Sequence, residues 1–310
     1  MKNFLMRIAH INNTSGIASI IAKLQTKHGQ QADVFVFNRK IFKQFGGIKY
    51  FYKSPIDRWK LFRKLGDYDI WHYHYPYGSL KNNLEKRNKG KIYLKHYHGD
   101  DIRGKYDEDY CLVSTPDLLQ YVPNGKWLPT PIDIDEIESV PQNQHINRIT
   151  KVAHYPHYKM YHSNDYYTDA LVKLQREMKC ETVRILHFSH IQTLEIIAKC
   201  DIVIGKILPN VGWFGKFELE AMALGKPVIA YVSNELYEKY KPPLYRTTKD
   251  TFRQDLESLL EDNTEKDRLS TEGPKYVKKY HSVENTVESV QKSYEVTSIN
   301  DQKRDKYNII

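Results

Sequence analysis

Residues 212–231 read GWFGKFELEAMALGKPVIAY. Gly212 and Gly215 permit a tight turn, FELEAMALG (217–225) has the composition of a helix, and KPVIAYV (226–232) reads as a strand. Just upstream, DIVIGKI (201–207) is a second apolar strand, so the stretch spells strand, turn, helix, strand. Two neighbouring strands joined through a helix run parallel, because a crossover long enough to hold a helix brings the chain back to its starting edge. Ligands of such sheets gather at the carboxyl ends of the strands, where this glycine turn falls. The N–H groups at the helix start suit an anion, and Glu220 can accept two hydroxyl hydrogen bonds. A phosphate with a ribose attached would satisfy all three features.

Outward from this stretch the same alternation continues. ITKVAHYP (149–156) and TVRILHF (182–188) read as strands, with DYYTDALVKLQREM (165–178) and IQTLEIIAKC (191–200) as helices. The first half opens with FLMRIAHI (4–11), the polar turn NNTSG and the helix IASIIAKLQTKHG (17–29). Further strands follow at ADVFVF (32–37), DYDIWHYHY (67–75), KIYLKHYHG (91–99) and DYCLVST (109–115). Alternation of this kind predicts parallel sheets with helices on both faces, and 310 residues suit two such domains. Pro123, Pro129, Pro131 and Pro141 mark a polar connection. The expected division is therefore an N-terminal domain over 1–145, a C-terminal domain over 146–294 and a polar tail over 295–310.

The composition, 40% hydrophobic and 13% aromatic, supplies enough apolar surface for sizeable cores and excludes a disordered chain. No apolar run is long enough to span a bilayer, and MKNFLMRIAH lacks the features of a signal peptide, so a cytoplasmic location is expected. Cys111, Cys180 and Cys200 are too few and too far apart for a disulfide framework or a CxxC metal site. The net charge of +9 is uneven: residues 1–100 carry 19 basic and 6 acidic side chains, and the remainder is slightly acidic. Between Arg39 and Lys64 nine basic residues face one acid, Asp57, and are interleaved with Phe42, Phe45, Tyr50, Phe51, Tyr52, Trp59 and Phe62. That mixture suits an anionic membrane surface or a nucleic acid; a lysine-rich solvated face with inward aromatics accounts for it equally well.

Four stretches, in order, resemble glycosyltransferase family 4, from about Arg7 to Tyr294. HINNTSGIASIIAKLQ (10–25) looks like the family's first strand, glycine loop and helix, and YHGDDIRG (97–104) like its HG-D motif. LPTPIDIDEI (128–137) looks like its interdomain segment, and EAMALGKPVIAY like its donor-domain signature. The nearest resemblance is to members with GWYGxFAxEAMALGKPV in the donor loop, which also carry a histidine-proline turn like His154-Tyr155-Pro156. The resemblance implies an α/β fold with two Rossmann-like domains facing a cleft, the arrangement called GT-B, which closes during the reaction. It further implies metal-independent, retaining transfer of a sugar from a nucleotide-diphosphate sugar, which is a co-substrate and not a resident cofactor. No protein nucleophile is required.

The implied residues follow from the same matches. His98 lies over the donor sugar, Lys159 neutralises the diphosphate, and His162 falls where a second cation is usual. Gly16 and the backbone N–H groups around Phe214, Gly215 and Lys216 approach the donor, while Glu220 holds the ribose. The family's E-x7-E pattern is broken, since its first glutamate falls on Gly212, which leaves backbone N–H groups around Phe214 to Lys216 to hold the sugar hydroxyl; for the diphosphate, where His162 replaces the usual lysine, Lys206 or Lys216 can substitute. Asp100 and Asp101 suit either an acceptor hydroxyl or an Asp-rich turn. Asp133-Ile134-Asp135 is formally a DxD motif, but its linker context argues against a metal. His72, His74, His96 and His98 alternate on two strands without a fourth ligand type, so no metal is expected there either. The expected partners are the nucleotide-sugar donor and a lipid-linked acceptor at the anionic inner leaflet, with peripheral attachment. Nucleic acid is the less favoured acceptor. The competing readings are a nucleic-acid-binding protein and a catalytically silent nucleotide-sugar binder.

Overall fold

The computed structural model describes residues 6–37, 45–76, 78–87, 90–141, 149–155, 165–177 and 179–307. The chain divides into two compact units, one built from residues 1–131 and 283–310 and the other from residues 132–282. Both are α/β with wholly parallel sheets, as the alternation of apolar strands and amphipathic helices requires.

In the first unit, β1 (Arg7–Ile11), α1 (Ile17–Lys27), β2 (Gln31–Phe37), β3 (Ile48–Tyr50), α2 (Pro55–Leu65), β4 (Ile70–His74), α3 (Gly78–Lys86), β5 (Ile92–Tyr97), β6 (Cys111–Val113) and β7 (Lys126–Trp127) follow in turn. The strand order is β3-β2-β1-β4-β5-β6-β7, so the chain reverses its direction of travel between β1 and β4. Alternate residues of the strands feed two cores. Ala9, Ile11, Phe35, Trp71 and Tyr73 pack with Leu61, Leu65 and Leu84 on one side. Ile8, Ile70, Leu94 and Leu112 pack with Ile17, Ile21 and Leu24 of α1 on the other. Helix α2 begins where Ser54 and Asp57 form a capping box and Pro55 stands in the first turn.

The second unit contains α4 (Ile134–Glu138), β8 (Lys151–His154), α5 (Asp165–Arg176), β9 (Glu181–Arg184), α6 (His190–Ala198), β10 (Ile202–Ile204), α7 (Lys216–Ala223), β11 (Val228–Ala230), α8 (Asn234–Tyr240), β12 (Tyr245–Arg246), α9 (Phe252–Glu261) and α10 (Asn263–His281). Its sheet order is β12-β11-β10-β8-β9, with the reversal between β8 and β10. The unit begins and ends beside itself, because Ile132 N–H donates to His281 O at 2.9 Å.

Two boundaries differ from the sequence-based expectation. The division falls after Pro131 and not near residue 145, since Ile132, Ile137 and Val140 already belong to the second unit's core. The segment expected as the end of the second domain and a polar tail is one helix, α11 (Val283–Tyr307), which belongs to the first unit. Its Val287, Val290 and Tyr294 complete the core formed by Ile8, Leu94 and Leu112. Among the described residues no helix is long and apolar enough to cross a membrane.

Val290 is fully buried. Val290→Ala is expected to cost about 2 kcal/mol, from lost transfer energy plus a residual cavity. Hydrogen exchange should accelerate in β1, β4 and β5 and stay unchanged in β8, β10 and β11; the reverse pattern would assign α11 to the second unit.

Candidate functional site

In the second unit, the glycine turn and α7 are held by Glu218, which is fully buried. Its Oε1 accepts from Lys206 N–H at 2.7 Å and its Oε2 from Gly215 N–H at 2.8 Å, so one carboxylate ties the end of β10 to the start of α7. A Cβ at Gly205 would stand 2.5 Å from Glu218 Cγ, which explains the glycine there. Gly212 has φ +73°, the left-handed region, so the residue that breaks the E-x7-E pattern is also the residue this turn needs. Trp213 and Phe214 are buried and stacked, with ring centroids 4.4 Å apart. Phe214 can therefore offer a ligand its backbone but not its ring.

Glu220, one turn into α7, is 5% exposed. Its Oε1 receives His190 Nε2 at 2.6 Å and Lys216 Nζ at 3.1 Å. Burial alone would raise its pKa; Lys216 and His190 more than offset this and hold the carboxyl below the ordinary glutamate value. His190 also approaches Glu136 Oε1 at 3.5 Å. A Cβ at Gly215 would lie 2.7 Å from Lys206 Nζ, so a second ammonium stands over the start of α7. Lys216 thus pairs with a buried carboxylate, while Lys206 stands over the start of the same helix. Lys159 and His162 lie outside the described residues.

In the first unit, the loop after β1 departs from ordinary backbone at three of five residues, with positive φ at Asn12, Ser15 and Gly16. Gly16 caps α1 at φ +76°, and a Cβ there would meet the Phe45 ring at 2.9 Å. Asn12 is fixed by Tyr50 OH and by its own donation to His74 O at 3.0 Å. Of the two aspartates after His98, Asp101 is buried and accepts from the N–H groups of His98 and Gly99, so it shapes the turn. Asp100 is half-buried and faces Arg103 at 3.6 Å. Asp133 caps α4 through Glu136 N–H, which accounts for half of the formal DxD.

Five imidazoles meet on one face of the first unit's sheet. His10 pairs in register with His72, and His74 with His96, while His98 follows two residues beyond His96. Strand alternation then points all five the same way. Gln25 Oε1 lies 2.7 Å from His10 Nε2, His10 Nδ1 is 3.0 Å from His74 Nε2, and His74 Nδ1 is 3.1 Å from His98 Nε2. His98 Nδ1 is 2.6 Å from Ser114 Oγ, which is also 3.0 Å from His96 Nε2. His96 Nδ1 is 3.3 Å from His72 Nε2, and His72 Nδ1 is 2.9 Å from the hydroxyl of Tyr294 on α11. That hydroxyl accepts from Gln25 Nε2 at 3.3 Å, where the path began. Both nitrogens of His98 are engaged, so contact with a ligand hydroxyl through either one requires exchange of an existing bond. Among the described residues, the groupings His10–His72–His74 and His74–His96–His98 bring nitrogen atoms close enough to hold a transition-metal ion. Sequence reasoning singled out four of the five histidines; His10, Gln25, Ser114 and Tyr294 carry no local signal.

Burial penalises the imidazolium form throughout this cluster. The pKa falls to about 4 at His10 and about 3 at His98. It lies well below the ordinary value at His72, His74 and His96, where repulsion between neighbours adds to burial.

No family model matches the chain, and no curated protein sequence does. Solved structures do share its fold. A glycosyltransferase from Rickettsia africae aligns with TM-score 0.66 and 12% identity, over 94% of this chain and 98% of that one. Sucrose-phosphate synthase from Thermosynechococcus elongatus aligns with TM-score 0.63 and 12% identity, over 95% and 100%. The catalytic domain of starch synthase IV from Arabidopsis thaliana, bound to ADP and acarbose, aligns with TM-score 0.59 and 10% identity, over 94% and 99%. The fold is therefore the α/β, two-domain GT-B type found in glycosyltransferases.

A histidine whose folded pKa lies below its unfolded value stays neutral where the unfolded chain already binds a proton. Stability is then full above about pH 6.5 and is lost as the pH falls toward the folded values. At pH 5 each such imidazole costs about 2 kcal/mol. Asp101 acts the other way, since burial lifts its pKa to about 6, but it is one group against five. Thermal unfolding between pH 7.5 and pH 5 is expected to show a steep fall in Tm, and a flat profile would contradict the neutral cluster.

Proposed function

We propose that the protein is a glycosyltransferase that moves a sugar from a nucleotide-diphosphate sugar to an acceptor, with retention at the sugar carbon and without a metal ion. The observation that carries this reading is the assembly around α7. Both described contacts of Glu220 use Oε1, which leaves Oε2 for a ribose hydroxyl. Lys206 and Lys216 stand at a helix N-terminus, where partial positive charge and N–H donors favour a diphosphate. The ADP bound to starch synthase IV, a fold relative, is a ligand of this chemistry.

Transfer requires the leaving diphosphate to gain negative charge while the sugar carbon gains oxocarbenium character. Fixed cations and oriented N–H groups stabilise that change without reorganising, so positioning supplies most of the catalysis. Lys216 and Lys206 act on the phosphates in this scheme, joined by Lys159 and His162 as the family resemblance implies. His98 and Asp100 are assigned to the sugar and acceptor hydroxyls.

The acceptor is assigned to the first unit. A cavity of about 630 Å³ lies at the carboxyl ends of its strands, lined by Asn12, Phe37, Tyr50, Tyr52 and Tyr73, and aromatic faces of this kind suit sugar rings. Helix α2 exposes Ile56 and Trp59 beside Arg58, Lys60, Arg63 and Lys64, a surface fit for anionic lipid headgroups. Arg39, Lys40, Phe42 and Lys43 of the basic segment lie outside the described residues.

Glu220→Ala is expected to weaken nucleotide-diphosphate binding by about 1.5 to 3 kcal/mol, roughly ten- to a hundredfold in Kd, with the fold retained. Unchanged affinity in calorimetry would remove Glu220 from the donor site. Turnover should persist in EDTA; loss restored by magnesium or manganese would overturn the metal-free scheme, and donor binding without turnover on any acceptor would favour a silent binder.

Vesicle attachment is tested separately. Anionic vesicles should sediment the protein at low salt and release it at high salt, and reversing Lys60, Arg63 and Lys64 to Glu should abolish attachment. A steeply salt-dependent gel shift with DNA or RNA, and no vesicle binding, would move the acceptor to nucleic acid.

A further inference from the structure

The imidazole cluster of the first unit obeys a constraint that its individual contacts do not reveal. A neutral imidazole has one donor nitrogen and one acceptor nitrogen. With Gln25 Oε1 facing His10 Nε2, that nitrogen must carry the proton, which leaves His10 Nδ1 as an acceptor. His74 Nε2 must then donate to it, and His98 Nε2 must donate to His74 Nδ1. The Ser114 hydroxyl donates to His98 Nδ1 and accepts from His96 Nε2. His72 Nε2 donates to His96 Nδ1, and Tyr294 OH donates to His72 Nδ1. The tyrosine oxygen accepts from the Gln25 amide nitrogen, and the circuit closes without a clash between two donors or two acceptors.

Turning the amide over reverses every bond at once and gives a second satisfied state, with all five protons on Nδ1. Any mixture of tautomers leaves at least one pair of lone pairs face to face. In a buried site such a mismatch is expensive, because no water is at hand to repair it. The cluster therefore has two satisfied states and no others among neutral forms.

We propose that these eight side chains form one closed, one-way ring of hydrogen bonds in which the Gln25 amide sets the tautomer of all five histidines, including His98 at the rim. Gln25 and Tyr294 are then positioning residues for His98, although they stand on α1 and α11. The bearing on sugar transfer rests on the reading of His98 as a residue that meets the sugar; the ring itself does not. The ring also explains why so many imidazoles are buried together without a charge partner: each supplies what its neighbour lacks. Every ring nitrogen is committed, so a metal ion could enter only by breaking the circuit.

The test is long-range proton–nitrogen NMR on the intact protein labelled with nitrogen-15 at histidine, at pH 7 and without donor or acceptor. It therefore succeeds or fails apart from the sugar-transfer reading. Five of the 13 histidines should be neutral and share one tautomer, Nε2–H in the orientation described here. A mixture of tautomers among the five, or stoichiometric bound metal in the purified protein, would overturn the ring.

A variant gives a second readout. In Gln25→Glu the carboxylate accepts from both His10 Nε2 and Tyr294 OH, so His72 Nδ1 loses its donor and must itself become one. One imidazolium should then appear at pH 7 among the five signals; five neutral signals would contradict the proposal. Should that variant fail to fold, Ser114→Ala opens the ring at the rim. His98, still tied to Gln25 through His74 and His10, should keep the tautomer of those two residues, whereas averaging between tautomers at His98 would show that Gln25 does not set it.

Discussion

Glu218 is fully buried, and both of its oxygens are taken by backbone N–H groups of its own loop, those of Lys206 and Gly215. A buried carboxylate must be satisfied in this way or not ionise at all. That requirement draws the end of β10 against the first turn of α7, and much of the second unit's candidate site follows. The loop between them must be short of side chains where Glu218 passes, hence Gly205, while Gly215 leaves room for Lys206. Trp213 and Phe214 turn inward and anchor the loop to the core, so its outer edge presents backbone. Lys206 and Lys216 are left near the helix start, and Glu220 lies one turn on.

The first unit meets the same requirement differently. It buries neutral imidazoles in place of a carboxylate, at the point where its strand order reverses between β1 and β4. Parallel α/β sheets open a crevice at such points, and the positive φ angles of Asn12, Ser15 and Gly16 crowd the same strand ends. Strain and buried polar groups concentrate where binding sites are built, which is the physical ground for treating this end of the sheet as functional.

Much of this was legible in the chain itself. Period-two strands and period-3.6 helices announced a parallel α/β fold, and the GWFGKFELEAMALG stretch located α7 and Glu220. Its glycines mattered for a reason the sequence could not display: Gly212 satisfies a left-handed turn, and Gly215 makes room for Lys206. The boundary near residue 145 was misplaced because prolines were read as a linker, whereas Leu128 and Ile132 on either side of Pro129 and Pro131 are buried. The return of α11 was hidden because Val287, Val290 and Tyr294 form an apolar stripe that suits either unit. His10, Gln25, Ser114 and Tyr294 come together from positions up to 284 residues apart, through strand register and helix docking. His190 reached Glu220 in the same way, from a different helix.

The claim on which the functional reading turns is that the second unit holds a nucleotide-diphosphate sugar at the start of α7. Hydrogen exchange measured by mass spectrometry, with the intact protein titrated against a panel of such sugars, tests it most directly. At least one should slow exchange at residues 205–220, with the effect centred on the turn at 212–217. Protection elsewhere, or none across the whole panel, would contradict the account.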